Sequence, residues 1–128
     1  MEIIRKNYPG IALQTSPHPQ AVRVGNLLFL SGALARDTDA EHSDIGAQTE
    51  AIFERIKHIV EQEGGTLKNV VKITNFVTDN SPEASAATHR ARVKYFGNDL
   101  PASTRVRVAG LSEPHLLIEI EAIAVLED

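Results

Sequence analysis

Residues 104–125 read "TRVRVAGLSEPHLLIEIEAIAV", and how this stretch folds decides the rest of the chain. Both halves alternate apolar and polar residues, the two-residue beat of a half-buried β-strand. Val106 and Val108 fall on one face in the first half, with Ile118, Ile120, Ala122 and Ala124 as the matching apolar set in the second. Arg105, Arg107, Glu119 and Glu121 take the other beat. A turn near Glu113–Pro114 would make an antiparallel hairpin, with Arg105 opposite Glu121 and Arg107 opposite Glu119. One reading of that ladder is a row of surface ion pairs, each contributing about 0.2–1 kcal/mol. The other starts from burial of the same face between subunits. A desolvated guanidinium then becomes a fork for a ligand carboxylate, and a neighbouring carboxylate can orient or deprotonate water. Charge alternation alone does not choose between them.

Working outward, residues 2–6 predict a short strand, and "GIALQTSPHPQ" (10–20) is a proline-containing loop. "AVRVGNLLFLSG" (21–32) predicts a hairpin: Ala21 to Val24, a Gly25–Asn26 turn, then Leu27 to Ser31. The unbroken apolar run Leu27 to Leu30 fits a strand covered on both faces. "RDTDAEHSD" (36–44) is polar and predicts a mobile loop. Ile45, Thr49, Ile52, Ile56 and Ile59 then recur at helical spacing, with Ser43 or Asp44 as cap and Gly64–Gly65 as stop. "NVVKITNFVTD" (69–79) alternates, with Val71, Ile73 and Val77 on one face. A second helix starts at the Ser81 cap with Pro82 in its first position, carries Ala84, Ala87 or Thr88, Ala91 and Tyr95 as its stripe, and ends at Gly97. The sum is a single α+β domain over 1–128: two helices on one face of a mixed sheet, a two-layer sandwich. Its other sheet face is bare, and self-association is the usual cover.

Composition narrows the function. The chain has 128 residues, a formal net charge of −4 and 5% aromatics, with no basic arm, so nucleic-acid binding is disfavoured. There is no cysteine, which excludes disulfides, thiolate nucleophiles and Cys metal sites. His42, His58 and His115 show no metal-ligand spacing with one another, so no metal and no cofactor are expected. No segment approaches a membrane span or a signal peptide, and a cytoplasmic location without membrane attachment is expected. Ser31 lacks a nucleophile elbow, and "GNDLPAS" is not followed by a helix start, which removes the usual hydrolase and phosphate-loop readings.

Four stretches carry a resemblance: "VGNLLFLSG" (24–32), "VVKITNFVTD" (70–79), "YFG…LPAS" (95–103) and "VAGL…IEIEAIAV" (108–125). In these the chain resembles the Rid family (RidA, also YjgF or L-PSP) over almost its whole length. The resemblance implies a chorismate-mutase-like fold assembled as a homotrimer, with sites in the clefts between subunits. It implies hydrolytic deamination of small reactive enamine or imine acids, such as 2-aminoacrylate, to 2-oxo acids and ammonia. Carried over position by position, Glu119 directs water, and Ser31 and Gly32 line the pocket. His18 stands where family members have a tyrosine, and His89 where they have an asparagine. The carboxylate-binding arginine of the family falls at Ser103 in "PASTR", and Arg105 lies two residues on, about 7 Å further along the strand and on the same face. Arg105 is thus either the displaced carboxylate clamp or an ion-pair partner of Glu121.

The expected ligand is a small carboxylate-bearing molecule, bound by Arg105, Glu119, Ser31, Gly32, His18, His89 and Ser103. The rivals are a non-catalytic trimeric carboxylate binder or holdase-like protein, and a deaminase of a larger unsaturated amino acid. Ribonuclease activity, sometimes attributed to this family, is disfavoured by the acidic balance.

Overall fold

The last two strands are not partners. In the computed structural model, which describes residues 1–127, the chain runs β1 (Ile3–Lys6), β2 (Ala21–Val24), β3 (Leu27–Ala33), α1 (Ile45–Gln62), a 3-10 turn (Leu67–Asn69), β4 (Val70–Val77), α2 (Pro82–Phe96), β5 (Ala102–Arg107) and β6 (Ile118–Val125). The six-stranded sheet has the order β1-β2-β3-β6-β4-β5. β5 lies parallel to β4, and β6 is inserted antiparallel between β3 and β4. The physical reason is the helix between β4 and β5: a crossover helix carries the chain back to the start of the sheet, so the strand after it runs parallel. Residues 108–117 are therefore not a hairpin turn. They cross the end of β4, held by Val108 N–H on the Val77 carbonyl (2.8 Å) and Thr78 N–H on the Leu117 carbonyl (3.1 Å).

This register corrects the expected charge ladder. Residues paired across a sheet share a face. Arg105 pairs with Asn75, which pairs with Ile120 on the helix side; Glu119 pairs with Phe76, which pairs with Val106 on the opposite side. Arg105 and Glu119 point to opposite faces of the sheet, and neither arginine sits across from a β6 glutamate. Val106 is 41% exposed rather than core, and all of β5 is exposed as an edge strand.

The core forms where the helical stripe meets the sheet. Ile52, Phe53, Ile56 and Val60 of α1 pack with Leu28, Ile73, Val77, Ile118, Ile120 and Ala124, all essentially sealed from solvent. Phe53 meets Phe96 of α2 edge to face at 5.1 Å. The helix ends follow the sequence signals. Asp44 accepts from Ala47 N–H at 2.9 Å and Ser81 from Ala84 N–H at 3.2 Å. Pro82 opens α2, and Gly97 closes it in a left-handed conformation (φ 57°) that favours glycine. At the far end of α1, the Glu63 carboxylate has only 2% of its side chain exposed and gathers Lys6 (2.8 Å) and Arg23 (2.9 Å). Tyr8 Oη donates to the same carboxylate at 2.9 Å. That network ties β1 and β2 to the helix.

Three further expectations are corrected. A register shift between Val70 and Lys72 puts Val70 in the core and leaves Val71 45% exposed. Leu27 and Phe29, read as covered on both faces, alternate with buried Leu28 and Leu30 and are each 41% exposed in the single chain. They lie beside Val125 and Ile123 of β6, so the sheet face away from the helices carries an uncovered apolar band. The 36–44 loop, read as mobile, is held by Thr38 N–H on Ala35 (3.2 Å), Glu41 N–H on Thr38 (3.2 Å) and Ser43 N–H on Ala40 (2.9 Å). No helix among the described residues is long and apolar enough to cross a membrane.

Candidate active site

Glu119 sits in the middle strand of the sheet, facing away from the helices, where β3 loosens its pairing. The ladder between β3 and β6 shifts between Leu30 and Ala33, and Gly32 falls in that irregularity. A side chain at Gly32 would collide with Glu119: a Cβ there would lie 2.8 Å from Glu119 Cδ and 3.0 Å from its Cγ. The missing side chain is what lets the carboxylate lie against the strand backbone. Burial pushes the Glu119 carboxyl above its usual value, Glu121 adds to this, and His18 and Arg36 partly oppose it. A carboxyl whose charged form is disfavoured by burial is a better proton acceptor than an exposed one, and can return the proton it takes.

Around it is a cavity of about 250 Å³, lined among others by Glu119, Ser31, Gly32 and His18, small enough for a ligand of a few heavy atoms. Ser31 Oγ donates to the Pro19 carbonyl at 2.7 Å, which pins the 17–20 loop against β3. His18 Nδ1 lies 3.1 Å from the same carbonyl. A carbonyl oxygen only accepts, so in this contact Nδ1 is the donor. Ser31 is accordingly a wall and an anchor, not a nucleophile.

Arg36 and Arg55 also line the cavity, and neither was singled out from the sequence. Arg36 Nε donates to Glu113 at 3.2 Å and another of its guanidinium nitrogens bonds Ser112. Arg55 donates one Nη to the Leu34 carbonyl at 2.7 Å. Burial lowers the Arg55 pKa, although it remains a cation at any ordinary pH. One signal was readable: Arg55 falls four residues before Ile59 and three after Ile52, a cation beside the apolar stripe.

Arg105, His89 and Ser103 do not join this cavity within one chain. They form a second cluster between α2 and the edge strand. Asn75, buried on β4, donates to the Ser103 hydroxyl at 2.9 Å and to the Thr104 carbonyl at 3.0 Å. His89 is held below its usual pKa by burial first, then by Arg92 and Arg105. Arg92 Nε is buried without a hydrogen-bond partner, and its pKa is lowered by burial and by Arg105. Two guanidinium groups and an imidazole thus crowd one edge, and none of them forms a salt bridge among the described residues. That is a place for an incoming anion.

Comparisons with known proteins fit this geometry. Residues 12–126 match the family described as Endoribonuclease L-PSP. The chain is 38% identical over 112 residues to a 2-iminobutanoate/2-iminopropanoate deaminase of Salmonella typhimurium, covering 85% of this chain and 87% of that protein. It is 36% identical over 112 residues to the 3-aminoacrylate deaminase RutC of Acinetobacter baylyi, covering 85% and 86%. A crystal structure of a YjgF/YER057c/UK114 family member from Mycobacterium tuberculosis superposes with a TM-score of 0.82 at 29% identity, over 98% of this chain and all of that one (100%). With the match spanning nearly every residue and the two-helix, six-strand layout shared, the chain belongs to the RidA/YjgF/L-PSP family.

Proposed function

We propose that the protein hydrolyses the C=N bond of a small enamine or imine acid, releasing a 2-oxo acid and ammonia, with Glu119 as the proton-transfer group. The observation that carries this reading is a half-buried carboxyl of raised pKa against Gly32, in a cavity sized for a small acid. The deaminase names of two relatives support the same chemistry.

In this mechanism the imine, formed by tautomerisation of the enamine, is held with its carboxylate on a guanidinium. Glu119 takes one proton from water as the oxygen adds to the imine carbon and passes it to the imine nitrogen, giving a carbinolamine. Glu119 then takes the hydroxyl proton and passes it to the amine nitrogen, the C–N bond breaks as the carbonyl forms, and ammonia leaves. In this reading His18, which lines the same cavity, relays a proton. The overall balance is imine plus water to 2-oxo acid plus ammonia, with no metal and no cofactor in the cycle.

Two sources of guanidinium fit. Arg36 and Arg55 belong to the same cavity, while Arg105, with His89 and Ser103, would reach it from a second copy of the chain. We favour the second source, because Arg92 and Arg105 form no salt bridge among the described residues, Arg92 Nε is buried without a partner, and Arg36 already holds Glu113 and Ser112. A homotrimer that covers the apolar band of β3 and β6 would supply it.

The test generates 2-aminoacrylate in the presence of the protein and times ammonia release. Acceleration that is lost in Glu119→Gln and in Arg105→Ala, and retained in Arg55→Ala, is the expected result. Loss in Arg55→Ala with Arg105→Ala unaffected would move the clamp into the single chain. No acceleration by the unmutated protein, with a 2-oxo acid still bound, would establish the non-catalytic carboxylate binder instead.

A further inference from the structure

The two loops that rim the Glu119 cavity meet in a cluster that the deamination chemistry does not use. Glu41 and His42 come from the loop between β3 and α1, and Glu113 and His115 from the loop between β5 and β6. One ligand atom each from Glu41, His42 and His115 lie within 4.8 Å of one another. His115 Nε2 is 2.8 Å from Glu41 Oε2 and 3.6 Å from Glu113 Oε2, and His42 Nε2 is 3.6 Å from Glu41 Oε2. The His42 and His115 rings stack with centroids 4.3 Å apart. No sequence spacing announced this, because the pairs lie about seventy residues apart and only the fold joins them.

We propose that Glu41, His42 and His115 form a binding site for a divalent transition metal of the zinc class, with Glu113 beside it at His115. A tetrahedral zinc with bonds of about 2.0–2.1 Å keeps its ligand atoms about 3.3 Å apart, between the Glu41–His115 and Glu41–His42 separations found here. Two imidazoles and a carboxylate, with water in the fourth position, are a donor set that suits zinc and its neighbours, rather than calcium or magnesium, which prefer oxygen alone.

What distinguishes the cluster from a chance group of surface charges is the layer behind it. Each carboxylate has its other oxygen already anchored. Asp37 N–H donates to Glu41 Oε1 at 2.8 Å, and Arg36 Nε donates to Glu113 Oε1 at 3.2 Å. Both Oε2 atoms are thereby turned toward the same imidazole nitrogen. The backbone of His115 is fixed in turn, its carbonyl accepting from buried Gln48 Nε2 at 2.9 Å. Outer partners of this kind orient ligands and raise affinity. Without metal, the short Glu41–His115 contact is a hydrogen bond, and metal entry replaces the proton those two atoms share.

Metal binding would fasten the 36–44 loop to the 108–117 segment. Arg36 and Ser112, which line the Glu119 cavity, lie on those two segments. The site is therefore a clamp on the rim of the cavity, and its existence does not depend on the deaminase reading.

The experiment strips the full-length protein with a chelator, removes the chelator, and titrates with Co(II) while recording visible absorption. Zn(II) is then added in competition. One Co(II) per chain with ligand-field bands, displaced by Zn(II), and a Tm several degrees higher in Zn(II) are expected. His42→Ala should weaken Zn(II) binding by more than about 100-fold, and His115→Ala likewise. The His42 side chain is 76% exposed, so its variant folds normally and decides the matter even if His115→Ala does not. Absence of saturable binding below about 100 µM, an affinity far short of structural zinc sites, overturns the proposal. So does binding that His42→Ala leaves unchanged, since the metal would then sit elsewhere.

Discussion

Gly32→Ala probes the site without touching a charged group. Its added methyl would meet Glu119 Cδ at 2.8 Å and Cγ at 3.0 Å. Carbon atoms in contact prefer about 3.5–4.0 Å, so Cδ must retreat by about 0.7 Å or more, and Glu119 Oε2, the atom nearest the new methyl, must move further still and turn away from β3. Gly32 has no positive φ, so alanine strains nothing in the backbone itself. The end of a glutamate side chain is also free to move, which holds the stability change to about 1 kcal/mol. A displacement approaching 1 Å at a proton-transfer group costs about 100-fold in rate, equivalent to about 2.7 kcal/mol in the barrier. The assay is kcat/KM for ammonia release from 2-aminoacrylate formed in situ, measured in the wild type, Gly32→Ala, Glu119→Ala and the double variant. If the methyl acts by moving Glu119, it has nothing left to damage once Glu119 is gone, and its penalty vanishes on that background. Full activity in Gly32→Ala, or the same penalty on both backgrounds, refutes the assignment of Glu119.

Further outcomes follow from other parts of the structure. Glu63→Ala leaves Lys6, Tyr8 and Arg23 without their common acceptor. It should cost about 2–3 kcal/mol in denaturant unfolding, below the range for sealed pairs because Lys6 and Arg23 keep solvent contact. Hydrogen bonds from those groups hold the Glu63 pKa below its usual value despite burial. The stabilisation is thus present above the ordinary carboxylate range and lost as pH falls through the folded-state value, and Glu63→Ala should flatten that acid limb. The raised Glu119 pKa moves the acid limb of kcat/KM upward from the ordinary carboxylate range, and Glu119→Gln should abolish the limb along with the rate. If the proposed trimer forms through the apolar band, Phe29→Lys, which places a charge there beside Ile123, should lower the light-scattering mass toward that of a monomer. An unchanged mass would mean the band is not the contact.

Most elements were legible because they rest on local rules. Asp44 and Ser81 cap their helices, Gly97 ends α2, and the Ala21–Val24 strand with its Gly25–Asn26 turn lies where its residues place it. The pairing of β5 and β6 was not legible, because alternation reports which residues share a face of one strand and says nothing of which strand lies alongside. A closer cue was present in the strand–helix–strand run of β4, α2 and β5, which favours a parallel neighbour. Of the site, His18, Ser31, Gly32 and Glu119 do converge on one cavity. Arg105, His89 and Ser103 do not reach it within the chain. Arg36 and Arg55 were missed for a different reason: an arginine in a polar loop has no pattern that marks it as a cavity wall, and the one cue at Arg55, a cation beside the apolar stripe, also fits a solvated helix flank.

The strand order also divides the labour of the site. Glu119, the proposed proton-transfer group, stands on an interior strand, paired with Phe76 of β4 on one side and facing the irregularity at Gly32 of β3 on the other. The cationic cluster stands on β5, which has a partner on one side only. An unpaired edge and an uncovered apolar band are both liabilities for an isolated chain, and Arg92 crowded by Arg105 adds electrostatic repulsion to them. In the proposed assembly, docking a second copy relieves the first two, and an anionic ligand relieves the third. Ligand affinity and subunit association would then strengthen one another, since each lowers a cost that the other would otherwise meet. In the proposed site a displaced arginine would be tolerable, because the field of the whole cluster, rather than one fork at one position, would draw the carboxylate in.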